Sequence, residues 1–366
     1  MSTRPWIVTS HCLLPNGPAH RLVRALENQG KEVAFIGIPL LNAERSRSEK
    51  QFPRDPTPRD VIDIERHVSQ REEIRSLWKL YSFAIKLKRM GITDPIVVAC
   101  DPLVYLESMA VLYGINLRPQ ATAVWFVDWS AQRLQHYCSA VVYRALSRIA
   151  VSFSDIAASI SPEAGFALQQ ASKYHESIVI LPNLPLTFPN SPPWEERDRR
   201  ILYTGGLSNQ QGISLLVEAA KTLAEKGVQI DIAGDGPERE QVRNLARNMK
   251  GVRFHGIVED HGALARLYGK ARVGWALYDP SFPMNEYNDP LKIKDYLAAG
   301  MKVISSLDRT GTADSIEVID YNSDKLVEAS LRALVSSPTI NPKDHIMLDN
   351  AFSALKSFIQ LMERER

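Results

Sequence analysis

Pro290, Leu291 and Lys292 stand in "NDPLKIKDYLAAG" (288–300), where a proline opens a helical pattern and Gly300 closes it. Proline suits the first helical position, because the amide it lacks has no intrahelical partner there. The free amides of Leu291 and Lys292 offer hydrogen bonds to an anion, and the positive end of the helix dipole adds attraction. Lys292 brings a point charge suited to phosphate. Asp295 lies one turn beyond Leu291 and presents acceptors for hydroxyl groups. Amides, a cation and a carboxylate one turn on fit a ribose diphosphate better than phosphate alone.

Three more strand-to-helix junctions carry glycine at the turn. "YTGGLSNQQG" (203–212) places Gly205 and Gly206 where backbone amides can approach an anion, although a tight turn alone also explains paired glycines. "IAGDGPERE" (232–240) turns through Gly234, Gly236 and Pro237 into a helix whose early Glu238 and Glu240 match the dipole, which reads as a rigid corner. "FHGIVED" (254–260) ends a strand at His255 and Gly256, leaving backbone against which a flat base can lie.

The elements that carry these junctions alternate along the whole chain. "WIVTS", "EVAFIGI", "PIVVAC", "TAVWFVD", "DIAASI" and "SIVIL" are apolar on both faces, as parallel strands covered on each side by helices are. Between them lie helix patterns such as "AHRLVRALENQG", and "SISPEAGFALQQ" with Ser161 as N-cap and Pro162 next. A proline-rich stretch without periodicity follows, after which strands and helices resume with "RILYTGG". The expected fold is α/β: two Rossmann-like doubly wound domains facing a cleft. Boundaries fall at 1–183 for the first domain, 184–200 for a linker and 201–340 for the second. A last helix, 341–366, is placed back on the first domain.

With 366 residues, 45% hydrophobic and 23% charged, the chain reads as globular, and a net charge of +2 argues against nucleic acid as a partner. Cys12, Cys100 and Cys138 are scattered without metal spacing, which fits a reduced, cytoplasmic setting. The first residues lack the apolar core of about 7–15 residues that marks a secretory signal. No run reaches the roughly 18 apolar residues of a membrane span. The basic pattern "REEIRSLWKLYSFAIKLKRMG" (71–91) interleaves Lys86, Lys88 and Arg89 with Trp78, Tyr81 and Phe83, so it is a candidate for peripheral contact with an acidic membrane surface.

In order and spacing, the four junctions of the second half resemble the GT-B glycosyltransferases of the family-4-like group (glycosyl transferases group 1). The likeness covers roughly residues 200–306, while the first half is similar only in layout. It implies transfer of a sugar from a nucleoside-diphosphate sugar, as substrate and not cofactor, to a saccharide or lipid-linked saccharide in polysaccharide or glycoconjugate synthesis. Carried over, Gly205 and Gly206 meet the diphosphate, while His255, Gly256 and Ile257 meet the base. Leu291 and Lys292 also hold the diphosphate, and Asp295 binds ribose. Gly17 and His20, after the first strand, fall where the acceptor and sugar bind.

The sequence departs from the family pattern in three places. Gly206 and Gln211 stand where many members carry phosphate-binding cations, leaving Lys292, with Arg309 from the next loop, to compensate. Tyr287 stands at the position of the family's first glutamate, with Glu286 one residue before it and Asp289 two after, so Glu286 is the catalytic candidate on this loop. "NDPLKIKDYLAAG" is similar to the Pro-Leu-Lys variant found in some inverting enzymes, which need a general base on the acceptor side. Asp128, at the end of "TAVWFVD", is the preferred base and Asp101 its rival. No metal motif is set in the donor site, so helix amides and Lys292 are expected to stabilise the leaving diphosphate. Two alternatives share the fold: a nucleotide-sugar 2-epimerase and a non-catalytic partner subunit.

Overall fold

A computed structural model describes residues 4–10, 17–37, 70–127, 137–172, 177–188, 191–282, 285, 287, 289–307, 315–337 and 342–364. Its strands form two parallel sheets. The first contains β1 (Trp6–Ser10), β2 (Val33–Gly37), β3 (Ile96–Ala99), β4 (Ala121–Phe126), β5 (Ile156–Ser159) and β6 (Val179–Ile180), in the order β2-β1-β3-β4-β5-β6. The order reverses between β1 and β3. Right-handed crossovers then dictate where the helices go. α1 (Pro18–Asn28) lies on one face, and α2 (Gln70–Arg89), α3 (Pro102–Gly114), α4 (Tyr137–Phe153) and α5 (Pro162–Ser172) belong to steps in the opposite direction.

The buried side chains follow this division. Trp6, Val8 and Trp125 pack with Leu22 and Leu26 of α1, whereas Ile7, Val97 and Val124 pack with Leu80, Val104 and Val151 of α2, α3 and α4. The last helix, α11 (Pro342–Met362), inserts Leu355, Phe358 and Met362 into the first of these cores. At the start of α5 the Ala164 amide donates to Ser161 Oγ at 3.1 Å, an N-cap of the kind the sequence announces.

The second sheet contains β7 (Asp198–Thr204), β8 (Gln229–Ala233), β9 (Val252–Gly256), β10 (Ala271–Ala276), β11 (Lys302–Ser305) and β12 (Ile316–Val318), ordered β12-β11-β10-β7-β8-β9. α6 (Ile213–Glu225), α7 (Arg239–Asn248) and α10 (Ser323–Ala333) share one core, and α8 (His261–Lys270) and α9 (Leu291–Ala298) share the other. Here the order reverses between β7 and β10, so the crevice for a ligand lies beyond the carboxyl ends of these two strands.

The stretch expected to be a linker over 184–200 is docked onto both domains. Leu184 belongs to a first-domain core, and Leu186 and Phe188 belong to a second-domain core. Its last three residues already form β7, because Arg200 is drawn into the sheet by Asp231 at 2.6 Å. The first strand of the second sheet therefore starts at Asp198, inside the stretch expected to be linker.

Candidate functional site

The loop after β7 lies at the reversal point. Gly205 has φ +135°, a conformation that strains any side chain, and a Cβ there would lie 3.2 Å from both Cε and Nζ of Lys292. The β8 loop presses on it from the other side: a Cβ on Gly234 would sit 1.8 Å from the Gly205 carbonyl oxygen. Glycine at both positions lets two backbones touch while the exposed Gly205–Gly206 segment faces the crevice. The "IAGDGPERE" corner is thus a buttress for the first loop, with the Leu207 amide donating to the Asp235 carbonyl and the Glu238 amide to that of Leu207.

Lys292 is 7% exposed and meets this loop from α9. Its Nζ donates to Gln211 Oε1 at 2.7 Å and to Tyr203 Oη at 3.3 Å, and lies over the rings of Tyr203 (4.4 Å) and Tyr278 (5.0 Å). No carboxylate pairs with it among the described residues. Burial alone lowers its pKa from 10.5 to about 7. A buried amine surrounded by neutral acceptors and ring faces has no counter-charge among the described residues, a setting that suits an anionic ligand. Pro290 precedes α9 without a side-chain cap, so Leu291 and Lys292 begin a helix whose first amides stand beside the same loop.

Tyr296 fixes α9 at this point. The strands β7 and β10 diverge after Leu202 and Gly274. The Tyr296 hydroxyl accepts from the Thr204 amide at 2.9 Å and donates to the Trp275 carbonyl at 3.2 Å, closing the ladder where the strands part. Its ring occupies the space a Cβ on Gly274 would need, at 2.3 Å. Neither residue was among the sequence candidates; a glycine inside the strand "RVGWALY" was the signal of close approach. Asn285 and Gln210 were also missed. They exchange hydrogen bonds, Gln210 Nε2 to Asn285 Oδ1 at 3.1 Å and Asn285 Nδ2 to the Gln210 carbonyl at 3.3 Å, and tie the loop after β10 to the loop after β7.

Asp295 stands elsewhere than the sequence places it. Arg21 of α1 grips both its oxygens, Nη1 to Oδ1 at 2.6 Å and Nη2 to Oδ2 at 2.8 Å, and the Leu186 amide adds 2.9 Å to Oδ1. The carboxylate is 3% exposed. It serves as a clamp between the two domains, which corrects its expected role as a ribose acceptor: both oxygens are already spent. Asp289 repeats the pattern, accepting from Lys294 Nζ at 2.5 Å and from the Asn183 amide at 2.6 Å. Tyr287, at the family's first-glutamate position, packs among first-domain side chains, and its carbonyl accepts from Ser161 Oγ at 3.3 Å.

His255, expected at the base, stands at the carboxyl end of β9 with its side chain partly exposed. It is the extra residue where β9 slips against β8, and its Nε2 meets Asp231 Oδ1 at 2.8 Å. Burial pushes the Asp231 carboxyl up, but hydrogen bonds from His255 and Arg200 and their charges outweigh it and hold the group below its usual value. The imidazole is therefore held in an Arg200–Asp231–His255 chain. Gly256, at φ +67° with open space where a Cβ would be, and Ile257, 40% exposed, are what β9 offers to a ligand.

In the first domain, Gly17 precedes α1 in an extended conformation, and His20 packs its ring on Phe35 at 4.5 Å. Asp101 caps α3 through the Leu103 amide at 2.8 Å. Asp128, Glu286 and Arg309 lie outside the described residues. Among those described, no cluster of His, Cys, Asp or Glu is able to hold a metal ion, and no helix is long and apolar enough to cross a membrane.

Residues 198–335 match the model of the family described as glycosyl transferases group 1. No curated protein sequence matches the chain. Solved structures match over nearly its whole length. Sucrose-phosphate synthase from Thermosynechococcus elongatus has a TM-score of 0.65 at 17% identity, covering 98% of each chain. HepE from Anabaena, solved with UDP and glucose, has a TM-score of 0.64 at 13% identity, again covering 98% of each. WaaB, a lipopolysaccharide outer core galactosyltransferase, has a TM-score of 0.54 at 14% identity, covering 98% of this chain and 99% of that one. The family match supports glycosyl transfer, and the neighbours show the fold. The chain thus has the GT-B fold, and its second half is similar to the group 1 glycosyl transferases.

Proposed function

We propose that the protein transfers a sugar from a nucleoside-diphosphate sugar to a saccharide or lipid-linked saccharide acceptor, in the synthesis of a polysaccharide or glycoconjugate. One observation carries the reading: Lys292, buried without a carboxylate partner among the described residues, touches the glycine loop at the reversal point of the second sheet. The amides of Gly206, Leu291 and Lys292, with the lysine's charge, receive the diphosphate, while Gly205, whose amide is held by the Ala233 carbonyl, lets the backbone approach. As the bond from the anomeric carbon to the diphosphate oxygen breaks, they stabilise the leaving negative charge. The acceptor hydroxyl gives its proton to a general base and forms the new bond to the anomeric carbon from the first-domain side of the cleft. The solved relative with UDP and glucose supports a uridine donor.

A thermal-shift panel of UDP-, GDP-, TDP- and ADP-sugars tests this. A ligand at about 100 times its Kd adds ~2.7 kcal/mol of stability, and one member of the panel is expected to do so. Lys292→Ala should weaken nucleoside diphosphate far more than nucleoside. A flat response across the panel, or equal weakening of both ligands, removes the donor site.

A further inference from the structure

The loop after β7 satisfies its own backbone amides with one exception. The Thr204 amide donates to Tyr296 Oη at 2.9 Å, that of Gly205 to the Ala233 carbonyl at 3.0 Å, and that of Leu207 to the Asp235 carbonyl at 2.9 Å. The Gly206 amide between them has no partner among the described residues, and Gly206 is exposed at the crevice. An unpaired amide in a segment held this closely raises the question of what aims it. The Gly205 carbonyl belongs to the same peptide and lies against the β8 loop, in the space a Cβ on Gly234 would need. A trans peptide points its N–H opposite to its carbonyl, so the Gly206 N–H turns away from that loop.

The next peptide is held at both ends. Its N–H is that of Leu207, bound to Asp235, and its carbonyl is that of Gly206, which accepts from Tyr203 Oη at 2.7 Å. Tyr203 is fully buried in β7. Its hydroxyl has a single hydrogen, and the Gly206 carbonyl is nearer to it than the Gln211 carbonyl at 3.3 Å. The oxygen accepts in turn from Lys292 Nζ, and the ring lies beneath the same ammonium. Burial, with the neighbouring tyrosines adding to it, pushes the phenol well above its ordinary pKa, so it remains a donor throughout the neutral range. One hydroxyl thus joins the lysine to the loop peptide. Donation from the ammonium polarises that hydroxyl and strengthens its bond to Gly206. Phenylalanine would fill the same core space, so packing alone does not call for the hydroxyl.

We infer that Tyr203 is a positioning residue of the donor site: its hydroxyl fixes the Gly206 peptide so that the Gly206 amide and the Lys292 ammonium face one diphosphate together. The inference rests on the donor reading and adds to it the residue that aims the loop. Titration of the full chain with UDP, GDP, TDP and ADP, and with the corresponding nucleosides, tests it. Tyr203→Phe keeps the ring and should lower affinity for the bound diphosphate roughly three- to tenfold, the worth of one hydrogen bond, with nucleoside affinity unchanged. A loss should remain when Tyr203→Phe is added to Lys292→Met, because it passes through the Gly206 amide and not through the lysine alone. Thr204→Val is the structural control. It removes a neighbouring buried hydroxyl, which bonds Tyr268 Oη at 2.9 Å, and leaves Tyr203 in place. It should lower the thermal midpoint without changing the preference for diphosphate over nucleoside. The inference is overturned if Tyr203→Phe weakens both ligands equally, if its effect vanishes in Lys292→Met, or if Thr204→Val shifts the preference as far. A wild type that binds no member of the panel removes the donor reading as well. A wild type that binds a diphosphate no better than Tyr203→Phe does overturns this inference alone.

Discussion

Neighbouring positions of one short helix treat charge in opposite ways. At the start of α9, Lys292 is buried among Gln211, Tyr203 and Tyr278, all neutral, and its pKa falls to about 7. Two and three residues later, Lys294 and Asp295 are just as buried, yet each meets an opposite charge, Asp289 and Arg21 respectively. Both ends look alike in the sequence, as "KIKD". The comparison shows that burial alone does not mark a ligand site; a buried charge whose counter-charge is missing does. A buried pair is satisfied by the fold itself, and breaking it costs stability.

The most disruptive test separates these roles at the paired end. Arg21→Met leaves the Asp295 carboxylate buried without its cation, and should cost about 3–5 kcal/mol in urea denaturation. Asp295→Asn should likewise lose stability while leaving nucleoside diphosphate affinity unchanged. If Asp295→Asn instead abolishes nucleoside binding with stability intact, the clamp assignment falls. At the unpaired end the signs reverse. Lys292→Met keeps the shape and removes the stranded charge, so stability should rise while diphosphate affinity drops roughly ten- to a hundredfold, the worth of one hydrogen bond to a charged group. A loss of both would show that Lys292 is structural.

Much of this was legible beforehand, and the failures share a cause. Alternating apolar runs and glycine turns announced both sheets, because a strand covered on each side has no other composition. The pairing of Gly205 with Lys292 followed from strand order, since the reversal brings the loop after β7 beside the helix after β10. Asp295 was misplaced because its partner, Arg21, lies in the other domain, and no local pattern in "AHRLVRALENQG" announces an interdomain ion pair. The contact of His255 with Asp231 was not legible because it comes from a one-residue slip between β8 and β9. Long-range pairing and register are tertiary facts, and a motif carries neither.

Proton linkage sharpens the contrast further. Lys292 titrates near 7 in the folded chain and at 10.5 as an ordinary lysine. Between these values the unfolded chain holds the extra proton, so this group makes stability rise with pH across that window and has no effect on its slope outside it. A bound diphosphate favours the ammonium form and draws a proton onto Lys292. Affinity should therefore fall as pH rises above about 7, by up to about tenfold per unit, with proton uptake visible in calorimetry across buffers. In Lys292→Met the slope contributed by this group should vanish. An unchanged slope in the variant would place the titrating group elsewhere.

The smallest expected effect lies at Gln211, where the family resemblance implies a cation. Its carbonyl oxygen holds the Lys292 ammonium at 2.7 Å and is the shortest contact that group makes. Gln211→Leu removes this acceptor and leaves Tyr203 Oη, at 3.3 Å, as the remaining one among the described residues. The loss should cost about 1 kcal/mol of stability at low pH, where Lys292 is protonated, and less at high pH, where it is neutral. It should also move the midpoint of the affinity–pH profile downward, because the charged form has lost a partner. Gln211→Lys pushes the other way: a second amine beside Lys292 should destabilise the free protein and be compensated when diphosphate binds. If Gln211→Lys weakens diphosphate binding, the crevice beside Gly205 is not where the anion sits, and the two ends of α9 differ only in their partners within the fold.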